Sequence, residues 1–367
     1  MNAVLPAWAR WNETAGQRPF SVGVEEEVML IDVADWNLAS RVDDLLAAVR
    51  GTELSAHLAQ ETHGSAVELR TDPYDDVAGA IAQLGRMRVA LREALAPLGL
   101  VPAAAGTHPF ATWHDVHVSA GERQQEVLGA MRELARREPT FALHVHIAIP
   151  DAEDAVRAMN RMRAHVPLLL ALSANSPFWQ GRDSGLASAR TPLFQAFPRA
   201  GLPRQFADYE ALVASTDLLI RSGAIREASF IWWDVRLQPR YGTMEVRVMD
   251  TQTTPERTGG LVALVHALAR AECQGDGYAS PALVASHEAL DENRFRALRD
   301  GVDASFIDAD SGGLVPVADV LASVLESCGP VPGAEALLDD PGAAHQRTAA
   351  RGSRGLISLV QDLVDRF

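Results

Sequence analysis

Glu25 and Glu27 stand two residues apart in the segment Phe20–Asp32, whose β-branched residues and alternation predict a strand. Side chains two apart on a strand share a face. Both carboxylates therefore point one way, while Glu26 points the other, among Val22, Val24, Val28 and Leu30. The same parity recurs in three further predicted strands. His144 and His146 share a face in Phe141–Ile149, Asp234 and Arg236 in Ser229–Leu237, and Thr243, Glu245 and Arg247 in Tyr241–Asp250. A solvated sheet face also alternates, but it favours Lys, Thr, Ser and Gln over pairs such as Glu/Glu and His/His. Two carboxylates about 6–7 Å apart repel by roughly 2–3 kcal/mol at an effective dielectric near 20. A divalent cation removes that penalty, and an oxygen-rich acidic set is what Mg²⁺ selects.

Glu61 and Glu68 extend the set. Glu68 lies inside a second apolar strand, Ser65–Thr71, where an unpaired charge is costly; an ion pair to Arg70 or Arg247 is the competing reading. With no cysteine nearby, a zinc pair is disfavoured for the histidines. One of them is read as a ligand in a mixed, hard-metal set and the other as a core residue. Together these residues point to a carboxylate-rich, multi-metal phosphoryl-transfer site.

Such strands need elements to hold them. From Asp75 to Leu98 the residues Val77, Ile81, Leu84, Met87, Leu91, Leu95 and Leu98 recur three or four apart, an amphipathic helix closed by Gly99. Small residues from Val101 to Ala111 predict a strand running into a turn, Gly121–Arg137 a polar helix, and Asp151 the cap of a helix. Residues 180–205 read as a loop, in which Asp183, Ser188 and Arg190 are placed to close over a substrate. Gln238–Gly242 has the turn residues of a hairpin, and the chain from about 255 is mostly helical. Strands and helices mixed with a hairpin argue for an α+β fold, read as one catalytic domain over residues 1–367.

The 33 basic residues are all arginine. Without lysine there is no Schiff base and no phosphate loop of the Walker type, so arginine and metal must handle any phosphate. A net charge of −15 argues against nucleic acid as a partner. No apolar run has the length of a membrane span, and Met1–Phe20 has no signal-peptide character. Cys273 and Cys328 read as free thiols of a reducing, cytoplasmic compartment.

Gly23–Glu27, Ala103–Ala111, His144-Val-His146, Ala171–Gly181, Trp233–Arg236 and Tyr241–Asp250, with Glu292–Arg296 and His345–Arg347, together resemble the carboxylate–amine ligase (glutamate–cysteine ligase type 2) family. The Leu-Ser-Ala-Asn-Ser-Pro run and the Tyr-Gly-Thr-x-Glu-Val-Arg strand are the most specific parts. The resemblance implies a glutamine-synthetase-like fold, a curved, largely antiparallel sheet flanked by helices. It also implies ATP and Mg²⁺ (or Mn²⁺) as cofactors, amino acids as substrates, a homodimer, and formation of an acyl phosphate that an amine then attacks. By motif position, Glu25, Glu27, Glu61, Glu68, His146 and Glu245 would hold metal. Arg247 and Arg236 would stabilise the transferring group, and Asn175, Ser176 and Arg190 would bind substrate. Ser184, Phe197 and the segment from Glu138 to Leu143 depart from the family's pattern and leave the acceptor amine open. A metal-dependent amidohydrolase and a non-catalytic ATP/Mg²⁺ sensor are the competing readings.

Overall fold

The computed structural model describes residues 5–115, 117–137, 139–275, 277 and 279–367; Glu138, one of the departures named above, lies outside them. Seven strands form one antiparallel sheet: β1 (Val22–Asp32), β2 (Leu58–Gln60), β3 (Ala66–Arg70), β4 (Leu100–Ala103), β5 (Ala142–Ala148), β6 (Val235–Gln238) and β7 (Thr243–Asp250). Their order is β6-β7-β5-β1-β3-β2, with β4 pairing the far end of β1. The long β1 is the spine. Val22–Glu26 pairs with β5, Glu25–Met29 with β3, and Met29–Asp32 with β4.

One face of this sheet is apolar except at Glu26. Val22, Val24, Val28 and Leu30 of β1, Leu143, Val145 and Ile147 of β5, and Met244, Val246 and Val248 of β7 join one core beneath helices Val77–Leu95, Ala152–Met162 and Pro255–Gln274. Glu26 falls on this face, as its parity requires, and is fully buried. The Arg88 guanidinium grips it in two bonds of 2.8 and 2.5 Å and donates onward to the carbonyls of Gln252 and Thr253. A buried carboxylate is tolerated there because every oxygen is paired.

The opposite face divides along β1. At its far end Met29 and Ile31, with Ala66 and Ala103, pack under the C-terminal helix Leu356–Arg366. The near end carries the acidic residues and stays open. Helices cap as their sequences suggest: Asp76 and Asp151 accept from backbone N–H groups three residues on, and Gly99 closes the first long helix with φ of +72°.

Three expected elements differ. Ser229–Leu237 is broken: a 3-10 turn at Ala228–Phe230 and a Trp232–Trp233 pair parallel to Ala200–Gly201 precede β6. The break frees Asp234 to turn away and pair with buried Arg294 at 2.6 Å. Residues 180–205 are not one loop, because a small hairpin, Phe178–Trp179 with Arg182–Asp183, and a helix at Arg190–Gln195 organise them. The polar helix stops at Met131, where Arg132 takes φ of +54° and a 3-10 segment follows. Among the described residues no helix is long and apolar enough to cross a membrane.

Candidate metal and nucleotide site

The open half of the sheet floors a cavity of about 630 Å³. Strand register decides which side chains meet there. Glu27 lies opposite Glu68, Glu25 opposite His144, His146 opposite Glu245, and Glu245 opposite Arg236. Seven residues from five strands are thus adjacent by pairing alone, and Glu61 enters from the turn before β3.

Three overlapping groups have candidate ligand atoms within 4.8 Å of one another: Glu25 with His146 and Glu245; Glu25 with Glu68 and His144; and Glu27 with Glu61 and Glu68. The six residues proposed as metal ligands from the sequence all fall in these groups. His144, which the sequence reading allowed as a core residue, joins them. Its Nδ1 is 3.4 Å from Glu25 and its Nε2 4.0 Å from Glu27. The shared parity with His146 was the available signal.

The electrostatics are those of a set of donors under mutual repulsion. Burial and the neighbouring Glu68 push Glu27 up to about 7. Burial and the charge of Glu25 raise Glu68 to about 6, although Arg70 donates to it. Burial, Glu27 and Glu68 raise Glu61 well above the usual carboxylate range. The carboxyls of the group Glu25, His146 and Glu245 behave oppositely. Burial would raise Glu245, but Arg236 and Arg247 outweigh it and hold the carboxyl well below its ordinary value. Burial and Arg247 lower His144 to about 3, so its ring is neutral. His146 runs the other way: burial disfavours its charge, yet Glu245 and Glu25 carry its pKa upward.

A bound divalent cation fits these residues. Oxygen donors dominate, the like charges of Glu27, Glu61 and Glu68 converge, and the Nε2 atoms of His144 and His146 are buried without a hydrogen-bond partner. An orphaned buried donor or acceptor costs on the order of 1–3 kcal/mol, and coordination relieves that cost.

The arginines differ in how free they are. Arg236 donates to both oxygens of Glu245, at 2.7 and 3.1 Å, and to the carbonyls of Ser229 and Ile231. Its role in this geometry is to hold Glu245. Arg247 donates to Glu245 and approaches His144 at 3.5 Å, and its Nε has no partner. Arg190 lines the cavity and donates to the carbonyls of Arg247 and Val248, while its Nε, like that of Arg247, has no partner.

Asn175 and Ser176 are not among the cavity's lining residues. Both are buried behind it in a hydrogen-bond network centred on Asp250. Asp183, expected over the substrate, is tied to Arg347 at 2.8 Å on the surface, and Ser188 is fully buried. The aromatic wall comes from Phe194, Phe197 and Trp232, while Trp233 packs against Phe206, so one of the two adjacent tryptophans lines the site. Trp8 and Arg10 also line it, brought there because Asn12 bonds the β6–β7 turn at Pro239 and Arg240. No local pattern in the N-terminal segment announces that contact.

The sequence profile described as glutamate–cysteine ligase family 2 matches residues 21–352. The chain is 37% identical over 351 residues to a glutamate–cysteine ligase of Haloferax volcanii, covering 95% of this chain and 97% of that protein. It is 35% identical over 338 residues to a glutamate–cysteine ligase of Halobacterium salinarum, covering 91% and 94% of the two chains. Among solved structures, a glutamate–cysteine ligase from Francisella tularensis in complex with AMP superposes with a TM-score of 0.69 at 12% identity, over 95% of this chain and 88% of that one. That likeness establishes a shared fold, the antiparallel, glutamine-synthetase-like α+β architecture expected from the sequence.

Proposed function

Because this chain belongs to glutamate–cysteine ligase family 2, we propose that it is an ATP-dependent ligase that activates the side-chain carboxylate of glutamate and joins it to the amine of cysteine or another amino compound. The observation that supports this most is the convergence of Glu25, Glu27, Glu61, Glu68, Glu245, His144 and His146 in one cavity. A volume of about 630 Å³ lies within the range of cofactor and substrate sites.

On this reading the γ-phosphoryl group of ATP passes to the glutamate carboxylate, giving an acyl phosphate and ADP. The amine nitrogen then attacks the acyl carbon, phosphate leaves, and the nitrogen loses a proton. Mg²⁺ or Mn²⁺, held by Glu25, Glu245 and His146 and by Glu27, Glu61 and Glu68, would neutralise charge on the phosphate oxygens. Arg247 presents the guanidinium that stabilises the transferring group. Arg236 keeps Glu245 oriented. Phe194, Phe197 and Trp232 form an apolar wall that limits water near the acyl phosphate. The same reading takes the enzyme to be a cytoplasmic homodimer built from one catalytic domain, which light scattering and limited proteolysis check.

Coupled ADP release with glutamate and a panel of amines, read together with product mass, tests the proposal. ADP is expected only when a carboxylate and an amine are both present, and Glu245→Gln is expected to lose it. ADP release that ignores the amine, or a Glu245→Gln variant with full activity, contradicts the reading.

A further inference from the structure

Asp250 closes β7 with no exposed surface, and three partners converge on its carboxylate. Oδ2 accepts from the Asn175 N–H at 2.8 Å and the Ser176 hydroxyl at 2.6 Å, and Oδ1 accepts from the Ser188 hydroxyl at 3.0 Å. The two serines pass this anchorage on. The Ser176 oxygen accepts the Arg190 N–H at 3.2 Å, and the Ser188 oxygen accepts the Thr191 N–H at 3.4 Å. The start of helix Arg190–Gln195 is thereby fixed to the end of β7.

Arg190 then reaches back to the same strand. Its Nη1 donates to the Val248 carbonyl at 3.0 Å and its Nη2 to the Arg247 carbonyl at 3.1 Å. Both carbonyls lie inside the register break of β7 against β5, between Val246 and Met249. A bulge leaves backbone groups without ladder partners and re-aims the side chain it carries. Buried carbonyls need another donor, and here a buried guanidinium supplies it to two of them at once. The side chain within the bulge is Arg247, which enters the cavity beside Glu245 and His144.

We infer that Arg190, anchored through Asp250, Ser176 and Ser188, is a positioning residue that locks this bulge and so aims the Arg247 guanidinium at the transferring phosphoryl group. Its contribution is exerted through Arg247 and not by contact with substrate. The inference rests on the role given to Arg247 under the proposed function.

A double-mutant cycle in the full-length enzyme tests it, with ADP release giving kcat and KM and thermal unfolding checking the fold. Arg190→Gln is expected to lower kcat about 100-fold, the scale of a misplacement of about 1 Å, with KM for ATP within about twofold. In an Arg247→Gln background, removing Arg190 is expected to cost less than about threefold, because the group it positions is already gone. Ser188→Ala, a smaller perturbation of the same anchor, is expected to lower kcat about tenfold and to show the same non-additivity; it decides the matter if Arg190→Gln does not fold. Losses that multiply fully in the Arg247→Gln background, or that appear only in KM, overturn the clamp alone. An Arg247→Gln enzyme with unchanged kcat overturns both the clamp and the role of Arg247 beneath it.

Discussion

Glu245 shows how a single residue carries competing demands. It is fully buried, lies in a candidate metal group with Glu25 and His146, and accepts from Arg236, Arg247 and Gln238. Arg236 is wholly committed to it and to two carbonyls, so its substitution acts on Glu245 first. Arg236→Gln is expected to weaken Mn²⁺ binding roughly 10–100-fold, the usual cost of losing a partner behind a ligand; unchanged affinity in a titration of the bound ion would show that Glu245 holds its place unaided. Protons compete for the neighbouring group. Glu27 titrates near 7 and Glu68 near 6, both above their ordinary value of 4.5. A carboxyl raised in the folded state binds more protons than in the unfolded chain between those two values. Stability therefore falls as pH climbs from 4.5 to 7, and the penalty is complete above 7. A cation that binds the deprotonated groups removes that penalty, so Mg²⁺ is expected to raise the melting temperature more at pH 8 than at pH 6. An equal or larger rise at pH 6, by scanning fluorimetry, would contradict this account of the cluster.

At the scale of elements, strand parity was legible because it depends only on the period of two. Glu25 with Glu27, His144 with His146, and Glu245 with Arg247 could each be placed on a shared face of their own strand before any pairing was known, and antiparallel register brought those faces together. Partners distant in sequence and set by tertiary packing could not be read this way. Glu26 gave no hint of Arg88, and the Asn175-Ser176 run, so specific as a motif, turned out to anchor Asp250 behind the cavity. The glycine of the Ala-Ala-Ala-Gly-Thr motif has the same explanation. A Cβ at Gly106 would stand 2.6 Å from Asp250 Cγ and 2.9 Å from Ser176 Oγ, both buried and held by hydrogen bonds. Gly106→Ala is expected to cost about 1–3 kcal/mol, as overpacking does, and to lower kcat with it, since the clamp on Arg247 shares those atoms. A stable variant with full turnover would show that the network yields more easily than its packing suggests. The Glu26–Arg88 pair belongs to the other face and to stability. Arg88→Met leaves a buried carboxylate without its counter-charge, held only by the Thr258 hydroxyl, and is expected to cost roughly 3–5 kcal/mol in urea unfolding, with Glu26→Gln recovering part of that loss in the double variant.

Across the whole molecule, the second face of the sheet is shared between chemistry and packing, and β1 marks the border. Glu25 and Glu27 face the cavity, while Met29 and Ile31, further along the same row, are covered by helix Leu356–Arg366. The amphipathic stripe Leu359, Val360, Leu363 and Val364 is at most 5% exposed. At roughly 1.5–3 kcal/mol per buried apolar side chain, the stripe contributes roughly 6–12 kcal/mol, close to the net stability of an ordinary domain. The helix is tied to the opposite layer as well, because Arg92 donates to the Val364 carbonyl and the Phe367 ring lies 4.5 Å from the Arg88 guanidinium carbon. Truncation before Leu356 is therefore expected to prevent stable folding. Leu363→Ala is the sharper test, with an expected loss of about 2–5 kcal/mol. Because the helix covers only the apolar end of β1, that loss is expected to leave kcat and KM unchanged at a temperature where the variant is folded. If kcat falls along with stability in Leu363→Ala, the two halves of the face are mechanically coupled, and the border drawn between Glu27 and Met29 is wrong.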